Sequence, residues 1–292
     1  MTANPTRKLI MGLVANLPLE KTKPFFLSLE KAGYSGDICL FVRELDAATL
    51  AFLRARRINL IPFRRAFLRP THARLAGLIK LFLRPDQRTR LDELLGLSYI
   101  HLHCARHIYC HEYLTECGAG YDQVMLADIR DVVFQNDPFD FEMPEGLSVF
   151  MEDPSRTIGT CPFTSSWVRK GFGEAVVKEL HHERIFCAGV IFGTATAMRD
   201  YFAQVLPLYF ARKTNQSIDQ GTHNYILYKQ PPPKVRRFEN DGPVLTMGYI
   251  DPARLRFNEQ GLLVNAAGRV FNTVHQYDRH PEVAQRLLKV LT

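Results

Sequence analysis

No apolar run in this chain reaches the ~18 to 20 residues that a membrane-spanning helix needs, so nothing in the sequence reads as a span. Arg7-Lys8 followed by Leu9 to Ala15 has the outline of a signal peptide, but the apolar stretch is short and Pro18 closes it. A first β-strand is the expectation there. The six cysteines (Cys39, Cys104, Cys110, Cys117, Cys161 and Cys187) include no Cys-x-x-Cys pair. A chain of 292 residues, 46% of them hydrophobic, can bury a full core without disulfide staples, which makes reduced thiols in a cytoplasmic protein the expectation. Neither Gly-x-Gly-x-x-Gly nor Gly-x-x-x-x-Gly-Lys occurs, which removes a dinucleotide fingerprint and a Walker loop. Linkers, internal repeats and low-complexity tracts are missing too, apart from the short run Pro231 to Pro233. One domain over residues 1–292 is therefore expected.

Acid is scarce in one place. Lysine and arginine total 37 against 30 aspartates and glutamates, a net charge of +7, and the excess concentrates in residues 64–90. That segment carries Arg64, Arg65, Arg69, Arg74, Lys80, Arg84, Arg88 and Arg90 against Asp86 alone, interleaved with Phe67, Leu75, Leu78 and Phe82. The plainest reading is a helix pair with its basic face in water. The composition also suits peripheral contact with the inner face of an anionic membrane, or grip on an anionic acceptor. Nucleic acid is not expected, since no binding motif accompanies the charge.

Periodicity supplies the fold. Leu9 to Ala15, Asp37 to Val42 and Ile58 to Pro62 read as buried strands, separated by helices at Lys23 to Ala32 and Asp46 to Arg57. This β-α-β-α-β rhythm predicts an α/β fold, three-layer α/β/α, with a mostly parallel, Rossmann-like central sheet. Further helices are expected over Ser98 to Cys117, Ala195 to Arg212, Gln220 to Lys229 and Pro281 to Leu291. Further strands are expected at Leu147 to Glu152, Val190 to Gly193 and Val270 to Tyr277.

The sharpest signal is Val124-Met-Leu-Ala-Asp128-Ile-Arg-Asp131-Val-Val-Phe-Gln-Asn-Asp137-Pro-Phe139, an apolar strand that runs into carboxylates. Charge beside a low-dielectric core costs several kcal/mol (order of magnitude) unless it is paired or metal-bound. Strand ends of parallel sheets are also where α/β folds bind ligands. A divalent cation held against a phosphorylated ligand accounts for both. Residues i and i+3 of a strand face opposite ways, so Asp128 and Asp131 can share an ion only if the chain turns at Ile129-Arg130.

This stretch resembles the DxD region of nucleotide-sugar glycosyltransferases with the GT-A fold, in the branch reading D-x-R-D-V-V-F-Q-x-D-P-F. Three later segments fit the same branch in order: Cys187-Ala-Gly189-Val-Ile-Phe-Gly193, Asp219-Gln-Gly221-Thr-His-Asn224 and Val274-His275-Gln-Tyr-Asp278-Arg-His280. The resemblance covers residues 8 to 285. It implies a GT-A fold with a nucleotide-binding half (about residues 8–140) and an acceptor-binding half (about 141–292). It further implies metal-dependent transfer of a sugar from a nucleotide-diphosphate donor to a hydroxyl acceptor, a glycan or glycolipid. Metal candidates are Asp131, Asp128 and His275, where a histidine suits Mn²⁺ better than Mg²⁺. Candidate donor contacts are Ala15, Asn16, Arg106, Asp128, Arg130, Gly189 and Arg279, with Gly189 in a small-residue loop. Asp219, read alone as a helix N-cap, becomes the candidate catalytic base, and Glu152 is its rival.

Two other readings remain open at this stage: a catalytically inactive nucleotide-sugar or glycan-binding protein, and a metal-dependent nucleotidyltransferase. The latter would be expected to carry a glycine-rich phosphate loop after the first strand. His103, His107 and His111, spaced by four on one predicted helix, match only half of a zinc site.

Overall fold

The computed structural model describes residues 6–63, 79, 82–84, 87, 91, 100–212 and 216–292. The basic 64–90 segment, with Arg64, Arg65 and Arg69, therefore falls almost wholly outside the described residues.

Strand β1 (Lys8–Ala15) pairs in parallel with β2 (Asp37–Arg43) and β4 (Gln123–Ala127), and β2 pairs in parallel with β3 (Ile58–Pro62). Side chains alternate along each strand and so feed two cores. Leu9 and Met11 of β1, Cys39 and Phe41 of β2, and Val124 and Leu126 of β4 face one side. There they meet α3 (Leu102–Cys117) and α6 (Ala195–Arg212). Ile10, Val14, Leu40, Val42, Met125 and Ala127 face the other side, against α1 (Leu19–Lys31) and α2 (Ala47–Arg54). Burial of apolar surface on both faces explains why these strands read as unbroken hydrophobic runs. Asp46 caps α2, accepting from the Thr49 amide at 2.7 Å.

The seven-stranded sheet has the order β3-β2-β1-β4-β7-β6-β8, with β6 at Leu147–Met151, β7 at Phe186–Thr194 and β8 at Val235–Phe238. Only β7 runs antiparallel to its neighbours. The three-layer, mostly parallel α/β/α arrangement expected from the sequence is thus the one the chain adopts. Cys187 to Gly189 is corrected by it. These residues form no loop but lie inside β7, where the Gly189 carbonyl accepts from the Asp128 amide at 2.8 Å. The sequence pattern could not reveal this, because an antiparallel insert in a parallel sheet is set by pairing rather than by local period.

A second sheet begins where β4 ends. After a turn over Ile129 to Asp131 the chain enters β5 (Val132–Phe134), which pairs antiparallel with β12 (Thr273–His275). Strand β12 also pairs in parallel with β9 (Val244–Thr246). The strand expected over Val270 to Tyr277 is shorter than predicted, since Gln276 takes a left-handed φ of 56° and starts a helical turn over Tyr277–Arg279. Helix α8 (Pro281–Leu291) packs its apolar face on this small sheet through Val283, Leu287 and Leu291. Sequence reading overlooked α4 (Pro162–Phe172) and α5 (Glu174–Glu179), the strands β8 and β9, and the short pair β10 (Arg256–Phe257) and β11 (Leu263–Val264). Helix α7 (Asp219–Lys229) completes the elements that border the site. Among the described residues, no helix is long and apolar enough to cross a membrane.

Candidate active site

The two sheets meet at the acidic turn, and a cleft of about 580 Å³ opens there. It is bordered by the end of β1, the 128–131 turn, the first turn of α3, the start of α7 and the turn after β12. Asp128 is the first residue beyond β4, Asp131 the last before β5, and His275 closes β12 directly across from Val132. The turn over Ile129 to Asp131 is what lets residues three apart face one point. Asp128, Asp131 and His275 bring one ligand atom each within 4.8 Å of one another, the one such cluster among the described residues.

The histidine shows what the cluster suits. His275 Nε2 lies 3.7 Å from Asp128 Oδ2 and 3.6 Å from Asp131 Oδ1, too far for hydrogen bonds. This nitrogen is buried and has no hydrogen-bond partner. Burial disfavours charge on the ring, yet the Cys187 sulfur and both carboxylates hold its pKa well above the usual histidine value. The geometry calls for a cation at this point. A donor set of two carboxylate oxygens and one imidazole nitrogen fits Mn²⁺, or Mg²⁺ with more water.

Gly189 keeps the space open. A Cβ there would stand 2.5 Å from His275 Cε1, 2.6 Å from Nε2 and 2.7 Å from Asp128 Oδ2. Any side chain at this position would fill the point where the three ligand atoms converge.

Arg106 anchors the arrangement from below. Its guanidinium binds Asp128 Oδ1, donates to the Ala188 carbonyl at 2.9 Å and reaches Asp219 Oδ2 at 3.2 Å. It therefore neutralises two carboxylates that face the cleft from different elements. Burial raises the pKa of both acids, but Arg106 prevails and holds each below the usual carboxylate range. His275 assists at Asp128, while His103 and the Ser217 hydroxyl, 2.8 Å away, assist at Asp219. Asp219 is the first residue of α7 and makes no N-cap bond, so the capping explanation for it falls away.

Arg130 and Arg279 stand on the solvent side. Arg130 bonds Asp278 at 3.1 Å and approaches Asp131 at 3.4 Å, and Arg279 approaches Asp131 at 3.8 Å. Both are nearly half exposed, so part of their hydrogen-bonding capacity faces the cleft. Ala15 borders the cleft where β1 ends. Asn16 follows it in the left-handed region (φ 51°) and turns its amide to Glu44 at 2.8 Å. Glu152 is 3% exposed at the end of β6 and reaches the cleft only through Gln220, whose amide donates to it at 2.9 Å. Burial pushes its pKa up to about 7, against smaller opposing effects of His275 and Gln220.

The three-histidine cluster does not assemble. His107 points into the core, stacked between Phe202 and Tyr209 and bonded to the Tyr209 hydroxyl at 2.8 Å, whereas His103 is exposed beside Ser217. Sequence reasoning missed Trp167, Gln220 and Ser217 as cleft residues. Gln220 was legible beside Asp219; Trp167 sits on a helix the pattern did not reveal.

No protein-family model matches the chain, and no curated protein matches it. Among solved structures it is similar to the apo structure of WbbM, a bifunctional glycosyltransferase, with a TM-score of 0.47 and 13% identity. The alignment covers 84% of this chain but only 41% of that one. At this distance the likeness decides nothing, and function has to be read from the side chains themselves.

Proposed function

We propose that the protein is a metal-dependent glycosyltransferase, moving a sugar from a nucleotide-diphosphate donor to a hydroxyl acceptor such as a glycan or glycolipid. The observation that carries this reading is the convergence of Asp128, Asp131 and the unpartnered Nε2 of His275 at a cleft rimmed by Arg130 and Arg279. Mn²⁺ or Mg²⁺ held by the three ligands would supply counter-charge for the departing nucleoside diphosphate.

The protein's own groups do the rest. Arg130 and Arg279 offer planar, always-charged donors to phosphate oxygens. Ala15 borders the nucleotide at the end of β1, with Asn16 turned aside to Glu44, and Gly189 lets the donor sugar approach backbone. Arg106 joins Asp128 and Asp219 through one guanidinium, so the ion ligand and the candidate base would be oriented together. Asp219 stays ionised and would accept the proton of an acceptor hydroxyl. Glu152 acts behind it, setting the Gln220 amide that also faces the cleft.

The test is a thermal-shift panel of UDP-, GDP-, dTDP- and CMP-sugars, each with Mn²⁺, Mg²⁺ or EDTA. Ligand at a hundredfold excess over its Kd stabilises the native state by ~2.7 kcal/mol, a readable shift. One nucleoside-diphosphate sugar should stabilise the protein only with metal, and Asp131→Ala should abolish the effect. A CMP-sugar, with one phosphate, should do nothing. Absence of any shift, or a shift indifferent to EDTA, overturns the reading.

A further inference from the structure

We propose that Cys187 is the positioning residue of His275: its sulfur accepts the Nδ1 hydrogen and thereby keeps Nε2 turned toward the two aspartates, where a metal ion can take it. The inference rests on reading Asp128, Asp131 and His275 as an ion site, and it concerns how this chain prepares that site.

Cys187 belongs to β7 of the large sheet and His275 to β12 of the small one, so the two meet where the sheets abut. Cys187 is 0% exposed and His275 2%. Sγ and Nδ1 are 3.0 Å apart, and the Gly189 amide also donates to the sulfur at 3.3 Å. For the ring with a single hydrogen, two arrangements are chemically open. If the thiol donated to Nδ1, Nε2 would carry a hydrogen facing carboxylate oxygens at 3.6 and 3.7 Å, buried and unbonded. If Nδ1 donates to the sulfur, that orphan disappears. Nε2 then faces two anionic oxygens with only a cation to satisfy it, a proton on the metal-free ring or a metal ion in the proton's place.

Metal-ligating histidines commonly give their second ring hydrogen to a carboxylate or a carbonyl. A thiol does the same orienting work without adding a third negative charge to a site already holding two. Sulfur is a weaker acceptor, so the ring is held in place by burial as much as by the bond.

Two readouts test this apart from turnover. In ¹⁵N-labelled protein without metal, His275 Nδ1 should carry a slowly exchanging hydrogen in the wild type and a faster-exchanging one in Cys187→Ala. Titration with Mn²⁺ alone, followed by the paramagnetic resonance of the free ion, should show affinity about 10- to 100-fold weaker in Cys187→Ala, the range typical of losing such a partner. Cys187→Ser keeps an acceptor at the same place and should recover most of that loss. A hydrogen-free Nδ1 in the wild type overturns the proposal, and so does unchanged Mn²⁺ affinity in a folded Cys187→Ala. Should the wild type bind no Mn²⁺ at all, the ion-site reading falls, while the Nδ1 measurement still decides the role of Cys187.

Discussion

Two buried histidines in this protein are treated in opposite ways. His107, in the layer between α3 and α6, is stacked at 5.3 Å on Phe202 and 5.8 Å on Tyr209. Burial first, and then the nearby Arg106, drive its pKa well below the usual value. His275, at the junction of the two sheets, is equally buried but faces two carboxylates, and its pKa goes up. Burial alone is therefore no guide to role. What separates a packing histidine from a ligand is the charge of the groups that its unpartnered nitrogen faces.

The comparison can be broken at Gly189, where the largest effect is expected. Gly189→Ala places a methyl 2.5 Å from His275 Cε1 and 2.7 Å from Asp128 Oδ2, so one ligand or both must leave the point of convergence. Mn²⁺ affinity measured by calorimetry should fall at least 100-fold, as far as in Asp131→Ala, while the far-ultraviolet circular dichroism spectrum is unchanged. His107→Ala should do the reverse. It removes a stacked ring and strands the Tyr209 hydroxyl, costing about 2–4 kcal/mol in urea denaturation, with metal affinity intact. Equal loss of metal binding in His107→Ala would mean that the core histidine belongs to the site after all.

A smaller effect separates Glu152 from Asp219. Glu152 has its pKa raised from 4.5 to about 7, so it folds protonated where the unfolded chain is ionised. The native state then binds more protons than the unfolded state between these values, and stability drops as pH rises from 4.5 toward 7. Over that window the loss is at most about 3 kcal/mol, at 1.36 kcal/mol per pH unit. Glu152→Gln, which preserves an acceptor for Gln220, should lose this slope and gain on the wild type as pH rises. The melting-temperature difference between variant and wild type at pH 5 and pH 8 checks it, and a constant difference counts against a protonated Glu152. Asp219, held ionised by Arg106, should add no comparable slope near neutrality.

Much of this was legible along the chain. The hydrophobic runs of β1, β2 and β3 and their flanking helices announce a parallel sheet, because strands covered on both faces need apolar residues at every position. Asp128 and Asp131 declare themselves as charges where such a run ends. Gly189 and His275 could be named from the order of short segments, although nothing local says that they touch. The fate of Asp219 shows where local reading stops: a helix-start aspartate looks like a cap, and only the arrival of Arg106 from 113 residues away makes it a paired acid instead.

Taken by itself, then, the sequence determined the layers, the strand that ends in carboxylates and the residue types able to hold an ion, since these follow from period and composition. Tertiary structure alone decided that β7 runs antiparallel with Gly189 pressed against Asp128. It also decided that a second sheet carries His275 across from Val132, and that Cys187 meets Nδ1. Those facts depend on register and pairing between segments more than 60 residues apart (Asp128 with Gly189, Val132 with His275, Cys187 with His275), and a one-residue slip would break these contacts.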